Sequence, residues 1–306
     1  MIKKIMSLLL SVAALFSGFA VKQEDGIIKY RNMPYGIRCK RQILDLDIPE
    51  SVTGDANMIL YIHGGGWNSG SKDESENSLD AHAGSGIISA ALNYRYCGKP
   101  NYATMDQVLD DISHALAKIK ETAAQRGINI KGVVLTGGSA GAHLSLLYAY
   151  KMAESAPIRP IAVYAQCPAV DFTDSALVDG SVRNVNPEMW TITPDEWLSL
   201  FSCMTGKRIT QKNIGKYEEA LYDCSPIKYV NENTVPTIIA HGTKDSVLPY
   251  EKSKALADKL EEYGVPHEFI TFEGAWHDLQ GCPEGTAAFQ EAVARYNAAY
   301  LMNVGE

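Results

Sequence analysis

Hydrophobic residues occur along the chain in short continuous runs that alternate with longer amphipathic stretches. Continuous runs predict buried strands, because a parallel strand that is covered on both faces is apolar along its whole length. Strands are predicted at residues 27–31, 42–48, 57–62, 87–93, 132–135, 161–165, 237–240 and 267–272. Helical spacing of apolar residues predicts helices at 104–125, 142–150, 249–263 and 284–301. Repeated strand–helix units of this kind predict an α/β fold, with a mostly parallel central sheet and helices on both faces.

Composition and charge add limits on partners. The 306 residues are 46% hydrophobic and 21% charged, which suits a globular chain that buries a sizeable core. The net charge of −8 argues against nucleic acid as a partner, because nucleic acid requires a basic surface. The six cysteines contain no C-x-x-C pair, which argues against a zinc or thioredoxin-like site, and their irregular spacing predicts no particular disulfide. Cys167 ends an apolar run and is predicted to lie in the core.

The N-terminus has the layout of a secretory signal peptide. Two lysines precede an apolar stretch at residues 5–16, and small residues lead up to Ala20. We therefore expect cleavage after Ala20, a single α/β domain over residues 21–306, and export to the periplasm or the medium. An uncleaved anchor is the alternative, because the apolar stretch extended to Val21 reaches the lower limit of a membrane span. No other stretch suits a membrane span, so none is expected after cleavage.

A serine flanked by glycines separates the strand at 132–135 from the helix at 142–150. Gly137, Ser139 and Gly141 form the pattern G-x-S-x-G, which between a strand and a helix predicts a nucleophile elbow. Larger residues at either glycine are expected to collide with neighbouring backbone. The helix N-terminus behind the serine favours developing negative charge. A Gly/Ser-rich loop is the alternative, because the pattern occurs often by chance.

Three consecutive glycines follow the buried strand at 57–62, within the sequence His-Gly-Gly-Gly-Trp at 63–67. Consecutive glycines are costly in chain entropy, and a plain turn rarely needs more than one or two. Without side chains, however, their backbone N–H groups can approach a substrate oxyanion. Together with the elbow, this loop predicts an oxyanion hole, because an H-G-G-G-type loop supplies it in lipases and esterases with such an elbow.

A serine hydroxyl is a poor nucleophile at neutral pH and needs a neighbouring base that is oriented by an acid. On sheets that carry a nucleophile elbow, these partners follow in the order serine, acid, histidine. Asp245 lies just beyond the strand at 237–240 and is the predicted acid. His277 follows the strand at 267–272 and is the predicted base. With Ser139 they complete a predicted catalytic triad.

Other histidines and acidic residues fit the triad less well. Four histidines are expected in supporting positions: His241 shaping the loop of the acid, His267 opening a strand, His143 packing or capping on the elbow helix, and His63 bracing the glycine loop. Asp171 is the main rival for the acid, because it also follows a strand. Asp278 adjoins His277 and would point elsewhere, and Glu273 is disfavoured further.

The strand–helix alternation lapses over residues 171–233. Helical pieces are indicated near 194–204 and 212–221, and an unstructured loop of that length is unusual in a compact domain. We therefore expect a helical, cap-like insertion that covers the active site and helps to select the substrate. Trp190 and Trp197 from this segment, together with Trp67, are the predicted pocket residues. An elaboration of the domain edge without substrate contact is the alternative.

Four spaced motifs resemble those of a known family. They are His-Gly-Gly-Gly-Trp at 63–67, Gly-Gly-Ser-Ala-Gly-Ala-His-Leu at 137–144, His-Gly-Thr-Lys-Asp at 241–245 and Trp-His at 276–277. The sequence resembles α/β-hydrolases of the hormone-sensitive-lipase-like esterase group. Within that group, the tryptophan after the glycines and the Ala-Gly-Ala-His-Leu run look most like the bifunctional feruloyl and acetyl-xylan esterase type. The resemblance implies the α/β-hydrolase fold.

The resemblance also implies roles for single residues. Ser139 would be the nucleophile, Asp245 the orienting acid and His277 the base. The oxyanion donors would be backbone N–H groups, which belong to Ala140 and to Gly65, Gly66 or Trp67. This chemistry requires no metal and no organic cofactor.

These features predict a serine carboxylesterase that acts on short-chain or carbohydrate-linked acyl esters through an acyl-enzyme. Export favours an extracytoplasmic substrate, either a small-molecule ester or an ester on a polysaccharide. A small arylformamidase-like amidase or a serine peptidase on the same fold is the main alternative. A non-catalytic binding protein on a hydrolase scaffold is disfavoured, because the serine, acid, base and glycine loop are all present.

Overall fold

The computed structural model describes residues 19–173 and 193–302. The described residues form one nine-stranded sheet in the order β1-β2-β3-β5-β4-β6-β7-β8-β9. Its strands are Ala20–Glu24 (β1), Ile27–Pro34 (β2), Ile43–Pro49 (β3), Gly54–Ile62 (β4), Ile88–Leu92 (β5), Ile128–Gly138 (β6), Arg159–Gln166 (β7), Thr237–Gly242 (β8) and His267–Phe272 (β9). In this spatial order, β1, β2, β3 and β5 pair antiparallel with one another. From β5 onward, through β4, β6, β7, β8 and β9, every neighbouring pair is parallel. This confirms the predicted, mostly parallel sheet.

Seven α-helices accompany the sheet within the described ranges. They are Glu76–Gly84 (α1), Met105–Ala124 (α2), Ala140–Lys151 (α3), Pro194–Thr205 (α4), Glu218–Tyr222 (α5), Tyr250–Glu262 (α6) and Pro283–Asn297 (α7). Short 3₁₀ turns lie at Lys72–Ser75, Ile214–Tyr217 and Pro226–Tyr229, and a π-helical turn at Ala298–Met302 follows α7. Thr104 begins α2 as predicted, because its side chain accepts a hydrogen bond from the Gln107 backbone N–H in a capping box.

Hydrophobic side chains on the two faces of the sheet form two separate cores. Leu60 belongs to the core that includes Ile112 of α2, whereas its neighbour Ile59 belongs to the core that includes Ala292 of α7. Successive side chains of a strand point to opposite faces, so α2 and α7 cover opposite sides of the sheet. Helices therefore lie on both faces, as the continuous apolar strands predicted.

Strand β1 was not predicted. Its residues are mostly exposed and include Lys22, Gln23 and Glu24, so it lacks the apolar run or alternation that marks a buried strand. The strand forms because its backbone pairs antiparallel with β2 at the edge of the sheet. The predicted signal peptide, by contrast, lies almost wholly outside the described residues. Within the described ranges, no helix is long and apolar enough to span a membrane.

The described part of the segment 171–233 is helical, with α4, α5 and two of the 3₁₀ turns. Helix α4 begins with a capping box at Thr193 and ends at Gly206, whose left-handed backbone (φ 66°) stops the helix. Its apolar face is buried against the body of the protein, with Phe201 and Trp197 almost fully covered. Residues 174–192, which include the predicted pocket residue Trp190, lie outside the described ranges.

Candidate active site

Ser139 stands at the sharp turn between β6 and α3. Its backbone has φ 53° and ψ −121°, a conformation that costs energy for a residue with a side chain. The turn is held by a hydrogen bond of 2.8 Å from the Ser139 N–H to the carbonyl oxygen of Gln166, at the end of β7. Such a turn lifts the hydroxyl above the carboxyl edge of the sheet, as a nucleophile elbow requires.

The glycines around Ser139 allow this turn to press against β4. A Cβ atom at Gly137 would lie 2.4 Å from the carbonyl oxygen of Ile62, and one at Gly141 would lie 1.9 Å from the same atom. No side chain fits at either position, as the sequence predicted. At Gly138, between the elbow's first glycine and the serine, an added Cβ atom meets no atom within 4 Å. The packing therefore requires glycine at positions 137 and 141.

Asp245 and His277 are joined by a hydrogen bond of 2.6 Å from His277 Nδ1 to Asp245 Oδ2. A carboxylate only accepts, so Nδ1 carries the hydrogen and Nε2 on the opposite side of the ring is left to accept a proton. His277 and Ser139 line the same cavity, which has a volume of about 330 Å³. The hydroxyl of Ser139 makes no hydrogen bond within the described residues; such contacts often tighten only when substrate binds.

The Asp245 side chain is fully buried. Burial raises the pKa of its carboxyl, but hydrogen bonds from His241 and His277 outweigh that effect and hold the pKa below its ordinary value. Oxygen Oδ1 is also held, because it accepts hydrogen bonds from the backbone N–H groups of Val247 and Leu248 at 2.8 and 2.9 Å. The carboxylate is therefore charged at neutral pH and fixed in orientation.

The loops that carry Asp245 and His277 are tied together because they follow neighbouring parallel strands. Thr243 and Lys244, after β8, donate backbone hydrogen bonds of 3.1 and 2.9 Å to Phe272 and Ala275, at and after the end of β9. The loops meet at Gly242, where an added Cβ atom would lie 2.4 Å from the carbonyl oxygen of Ala275. These contacts fix the distance between Asp245 and His277.

The glycine loop after β4 lies against the elbow. An added Cβ atom at Gly64 would be 3.0 Å from the carbonyl oxygen of Gly138. The Gly64 carbonyl accepts hydrogen bonds from His63 and Tyr94, and the Gly65 carbonyl accepts from Asn68 and Ser69. A trans peptide places N–H opposite C=O, so the N–H groups of Gly65 and Gly66 point away from these donors.

These N–H groups are the predicted oxyanion donors. Within the described residues, no acceptor is bound to the backbone N–H of Gly65 or Gly66, or to that of Ala140 in the first turn of α3. The two glycines have φ values of 94° and 56°, which favour glycine at both positions. Of the loop's three glycines, Gly64 is the one that lines the cavity.

Two residues that the sequence analysis missed hold the glycine loop from outside. The Tyr94 hydroxyl contacts the carbonyl oxygens of His63 and Gly64 at 3.1 and 3.2 Å, and its ring stacks on His63 at 4.2 Å. Arg41 donates from Nη2 to His63 Nε2 at 3.1 Å and to the Gly70 carbonyl at 3.2 Å. Both residues lie far from the loop in sequence, and no spacing pattern in the chain signals their contact.

His63 braces the loop, as predicted. Its Nε2 faces the Arg41 guanidinium, which only donates, and its Nδ1 faces the Gly64 carbonyl, which only accepts. The ring is therefore neutral with the hydrogen on Nδ1. Burial, with a smaller contribution from the Arg41 charge, lowers its pKa to about 4.

The prediction that Trp67 and Trp197 line the substrate pocket is corrected by the structure. Trp67 is 1% exposed and Trp197 is 3% exposed, and neither is among the described residues that line the cavity at Ser139. Their rings pack on one another and on Phe172, with centroids 5.6 to 6.3 Å apart. The apolar rings are more stable in this core than at a polar cavity. Trp190 lies outside the described residues.

Among the described residues, none of the rival acids is hydrogen-bonded to His277. Asp171 pairs with Lys252 at 3.3 Å and accepts hydrogen bonds from Thr173. Asp278 lines the cavity but is exposed to solvent, and Glu273 is exposed and contacts Thr243. Of these acidic residues, Asp245 alone is hydrogen-bonded to His277 within the described part of the chain.

One group of side chains in the described ranges has the composition of a metal site. The donor atoms of Cys167, His241 and Asp245 all lie within 4.8 Å of one another. Asp245 Oδ2 already contacts two imidazoles, and His241 Nδ1 contacts Ser253 at 2.7 Å. Hydrogen bonds therefore occupy the donor atoms of the histidine and the carboxylate.

Comparison with known proteins adds a family match. Residues 44–260 match the BD-FAE family model, which is more than half of the chain. A similar curated protein is the probable carboxylic ester hydrolase LipM of Mycobacterium tuberculosis, 30% identical over 227 residues that cover 71% of this chain and 47% of that protein. The kynurenine formamidase of Salmo salar is 30% identical over 116 residues, 38% of this chain and 37% of that protein. The chain spans about half the length of the curated relatives it matches.

A solved structure supports the fold. The truncated form of a carbohydrate esterase from gut microbiota superposes with a TM-score of 0.69 and 19% identity, covering 91% of this chain and 99% of that chain. At this level of identity the likeness concerns the fold, which is the α/β-hydrolase fold that the motifs implied.

Proposed function

The chain belongs to the BD-FAE family, and on that premise we propose that it is a serine carboxylesterase that cleaves short-chain or carbohydrate-linked acyl esters. The observation that carries the proposal is the Asp245–His277 hydrogen bond at the cavity that the strained Ser139 also lines. Ser139 is the proposed nucleophile, His277 the base and Asp245 the acid that orients it. LipM, named a probable carboxylic ester hydrolase, supports the ester as the bond attacked.

In the proposed reaction, Ser139 Oγ attacks the ester carbonyl carbon while His277 Nε2 removes its proton. The negative charge on the former carbonyl oxygen is stabilised by N–H groups of Ala140 and of Gly65 or Gly66. The tetrahedral intermediate then expels the alcohol, which takes the proton from His277. Water attacks the acyl-enzyme through the same steps and releases the acid.

The cavity lining supports a neutral, hydroxyl-rich leaving group. Glu74, Ser75, Gln166 and Asp278 line the cavity with Ser139. These side chains offer hydrogen-bond donors and acceptors to sugar hydroxyls, and the two carboxylates repel an anionic substrate. An acyl ester on a carbohydrate or another polyol therefore fits this site better than an ester of an anionic alcohol.

The nucleophile is tested with p-nitrophenyl acetate and a fluorophosphonate probe. We expect Ser139→Ala to lower kcat by about 10⁴-fold or more and to lose the covalent label. Ser145→Ala is the matched control, because Ser145 is a buried serine of α3, the helix that follows Ser139, and its hydroxyl donates to the Gly141 carbonyl. Hydrolysis by Ser139→Ala at the wild-type rate would show that another residue is the nucleophile.

The leaving group is tested by assaying acetylated xylan, feruloyl esters and a series of simple short-chain esters side by side. A carbohydrate ester should have a higher kcat/KM than a simple alkyl ester of the same acid. Equal values would restrict the proposal to short-chain esters in general.

A second function is favoured by one observation, the match to kynurenine formamidase over 116 residues. An amidase of the arylformamidase kind would use the same serine, histidine and acid against an amide carbonyl. Comparing an acyl ester with its amide analogue separates the two functions. Faster turnover of the amide would replace the esterase proposal.

We also propose that the protein is exported. The support is the pair of lysines, the apolar stretch at 5–16 and the small residues before Ala20. The N-terminal sequence of the mature protein, isolated from the periplasm or the medium of expressing cells, should begin at Val21. Recovery of the chain only in the cytosol, with Met1 retained, would reject export.

A further inference from the structure

Asp245 contacts a second histidine besides His277. His241 Nε2 lies 3.0 Å from Asp245 Oδ2, the oxygen that His277 Nδ1 contacts at 2.6 Å. The side chains of His241 and Asp245 are both fully buried, so no water competes for this contact. Two imidazole nitrogens within 3.0 Å of one oxygen define where that oxygen lies.

The tautomer of His241 follows from its neighbours. Its Nε2 faces the Asp245 carboxylate and, at 3.2 Å, the carbonyl oxygen of Leu248. Both groups only accept hydrogen bonds, so Nε2 carries a hydrogen. On the other side, Nδ1 lies 2.7 Å from Ser253 Oγ on α6, and this hydroxyl can donate to it. Ser253 thereby holds the ring in the orientation that directs Nε2 at Asp245.

The two oxygens of Asp245 are held in different ways. Oδ1 is bonded to the N–H groups of Val247 and Leu248, which belong to the same loop as Asp245 and move with it. His241 lies in β8 and Ser253 lies in α6, so their contact connects Oδ2 to two elements of the fold outside the loop of Asp245. Without His241, the loop's own amides, the thiol of Cys167 and His277 itself would be left to orient the carboxylate.

We propose that His241 is a positioning residue for the reaction: it holds Asp245 Oδ2 where that oxygen meets His277 Nδ1, and so keeps His277 Nε2 directed at Ser139. This inference rests on the proposed function of Ser139, Asp245 and His277. His241 does not touch the substrate, and it acts through Asp245. The effect of removing it therefore falls on kcat and depends on the presence of the carboxylate.

The first experiment compares His241→Leu with His241→Gln in p-nitrophenyl acetate hydrolysis. Leucine fills the space but donates nothing, whereas glutamine presents an amide N–H near the place of Nε2. We expect His241→Leu to lower kcat by about 10- to 100-fold with KM within about twofold, the range lost when a partner that orients a functional side chain is removed. His241→Gln should recover most of the kcat that His241→Leu loses. Equal losses in kcat for the two variants would contradict the proposal.

The second experiment repeats His241→Leu in an Asp245→Asn background. If His241 acts through Asp245, the added loss in the double variant should be less than about twofold. The same fold loss in both backgrounds would show a purely structural role. If His241→Leu does not fold, Ser253→Ala replaces it in this experiment. It removes the hydroxyl that contacts His241 Nδ1, so the imidazole is less fixed, and kcat should fall by about 2- to 10-fold. An unchanged kcat in Ser253→Ala would then overturn the positioning role.

Failure of this inference is distinguishable from failure of the proposed function. An Asp245→Asn variant with wild-type kcat would refute the proposed triad itself. An impaired Asp245→Asn variant beside a fully active His241→Leu variant would refute only the role of His241.

Discussion

The indole of Trp67 donates a hydrogen bond of 3.0 Å to Nδ1 of His143, which joins the glycine loop to helix α3 behind Ser139. His143 in turn donates from Nε2 to the carbonyl oxygen of Cys224, 2.8 Å away in the segment after α5. One buried neutral imidazole thus connects the loop, the elbow helix α3 and the helical insertion. The position of the predicted oxyanion donors is therefore set by core contacts before any substrate binds.

The imidazole of His143 should make the free energy of unfolding depend on pH. Burial lowers the pKa of His143 to about 4 from its ordinary 6.5, so between these values the unfolded chain binds a proton that the folded chain does not. Its contribution to stability is complete above pH 6.5 and decreases as the pH falls toward 4. A shift of this size corresponds to about 3 kcal/mol in the free energy of unfolding.

We expect the free energy of unfolding of the wild type to fall by about 3 kcal/mol relative to that of His143→Gln between pH 7 and pH 4, because glutamine does not titrate. Denaturant unfolding at a series of pH values measures it. A difference that stays constant over this range would show that His143 has the same pKa in the folded protein as in the unfolded chain.

The elbow glycines should differ sharply in their tolerance of a methyl group. Gly141→Ala places a Cβ atom 1.9 Å from the Ile62 carbonyl oxygen, so we expect a loss of about 3 kcal/mol or more in stability. Gly138→Ala is the matched control, because its added Cβ meets no atom within 4 Å. Its free energy of unfolding should stay within about 1 kcal/mol of the wild type. Equal losses for the two variants would contradict the close approach of α3 to β4.

The Tyr94 hydroxyl should matter to catalysis as well as stability. Tyr94→Phe removes the contacts to the carbonyls of His63 and Gly64, so the glycine loop becomes less fixed. We expect kcat for p-nitrophenyl acetate to fall by about tenfold, less than the loss of an entire oxyanion donor, with KM little changed. Tyr148→Phe is the control, because that buried tyrosine bonds to Ser113 on α2 instead. It should lose about 1 kcal/mol of stability and retain kcat.

Trp197 should behave as a core residue. Trp197→Phe removes part of a ring that is 3% exposed, and we expect a loss of about 1 to 3 kcal/mol in the free energy of unfolding. Because the ring does not line the cavity, KM for short-chain esters should remain within about twofold. A raised KM at unchanged stability would return Trp197 to the substrate pocket. Steady-state kinetics and denaturant unfolding on the same preparation decide the matter.

Much of the fold could be predicted because it follows from local patterns. The helix predicted at 104–125 is observed at Met105–Ala124, and the strand predicted at 267–272 is observed at His267–Phe272. Apolar periodicity and capping residues act within a few residues of the chain, so the sequence displays them directly. Strand β1 was missed for the same reason, because edge pairing of a polar strand leaves no such pattern.

The meeting of Asp245 and His277 was also within reach of the sequence. Each follows a strand, and the carboxyl ends of neighbouring parallel strands lie at one edge of a sheet, where the elbow of Ser139 also stands. Residue type, strand order and the glycine pattern were sufficient to bring these residues to one place.

Local sequence patterns were enough to predict the α/β architecture, the tight turn at the serine between its glycines, and the placement of Asp245 and His277 after two adjacent strands. Tertiary structure alone decided which side chains hold these groups. It buried Trp67 and Trp197 in the core, set Arg41 and Tyr94 behind the glycine loop, and gave Asp245 a second imidazole partner. The physical reason is that the direction of a side chain and its hydrogen-bond partner depend on neighbours brought together from distant segments. No period or spacing along the chain records those contacts.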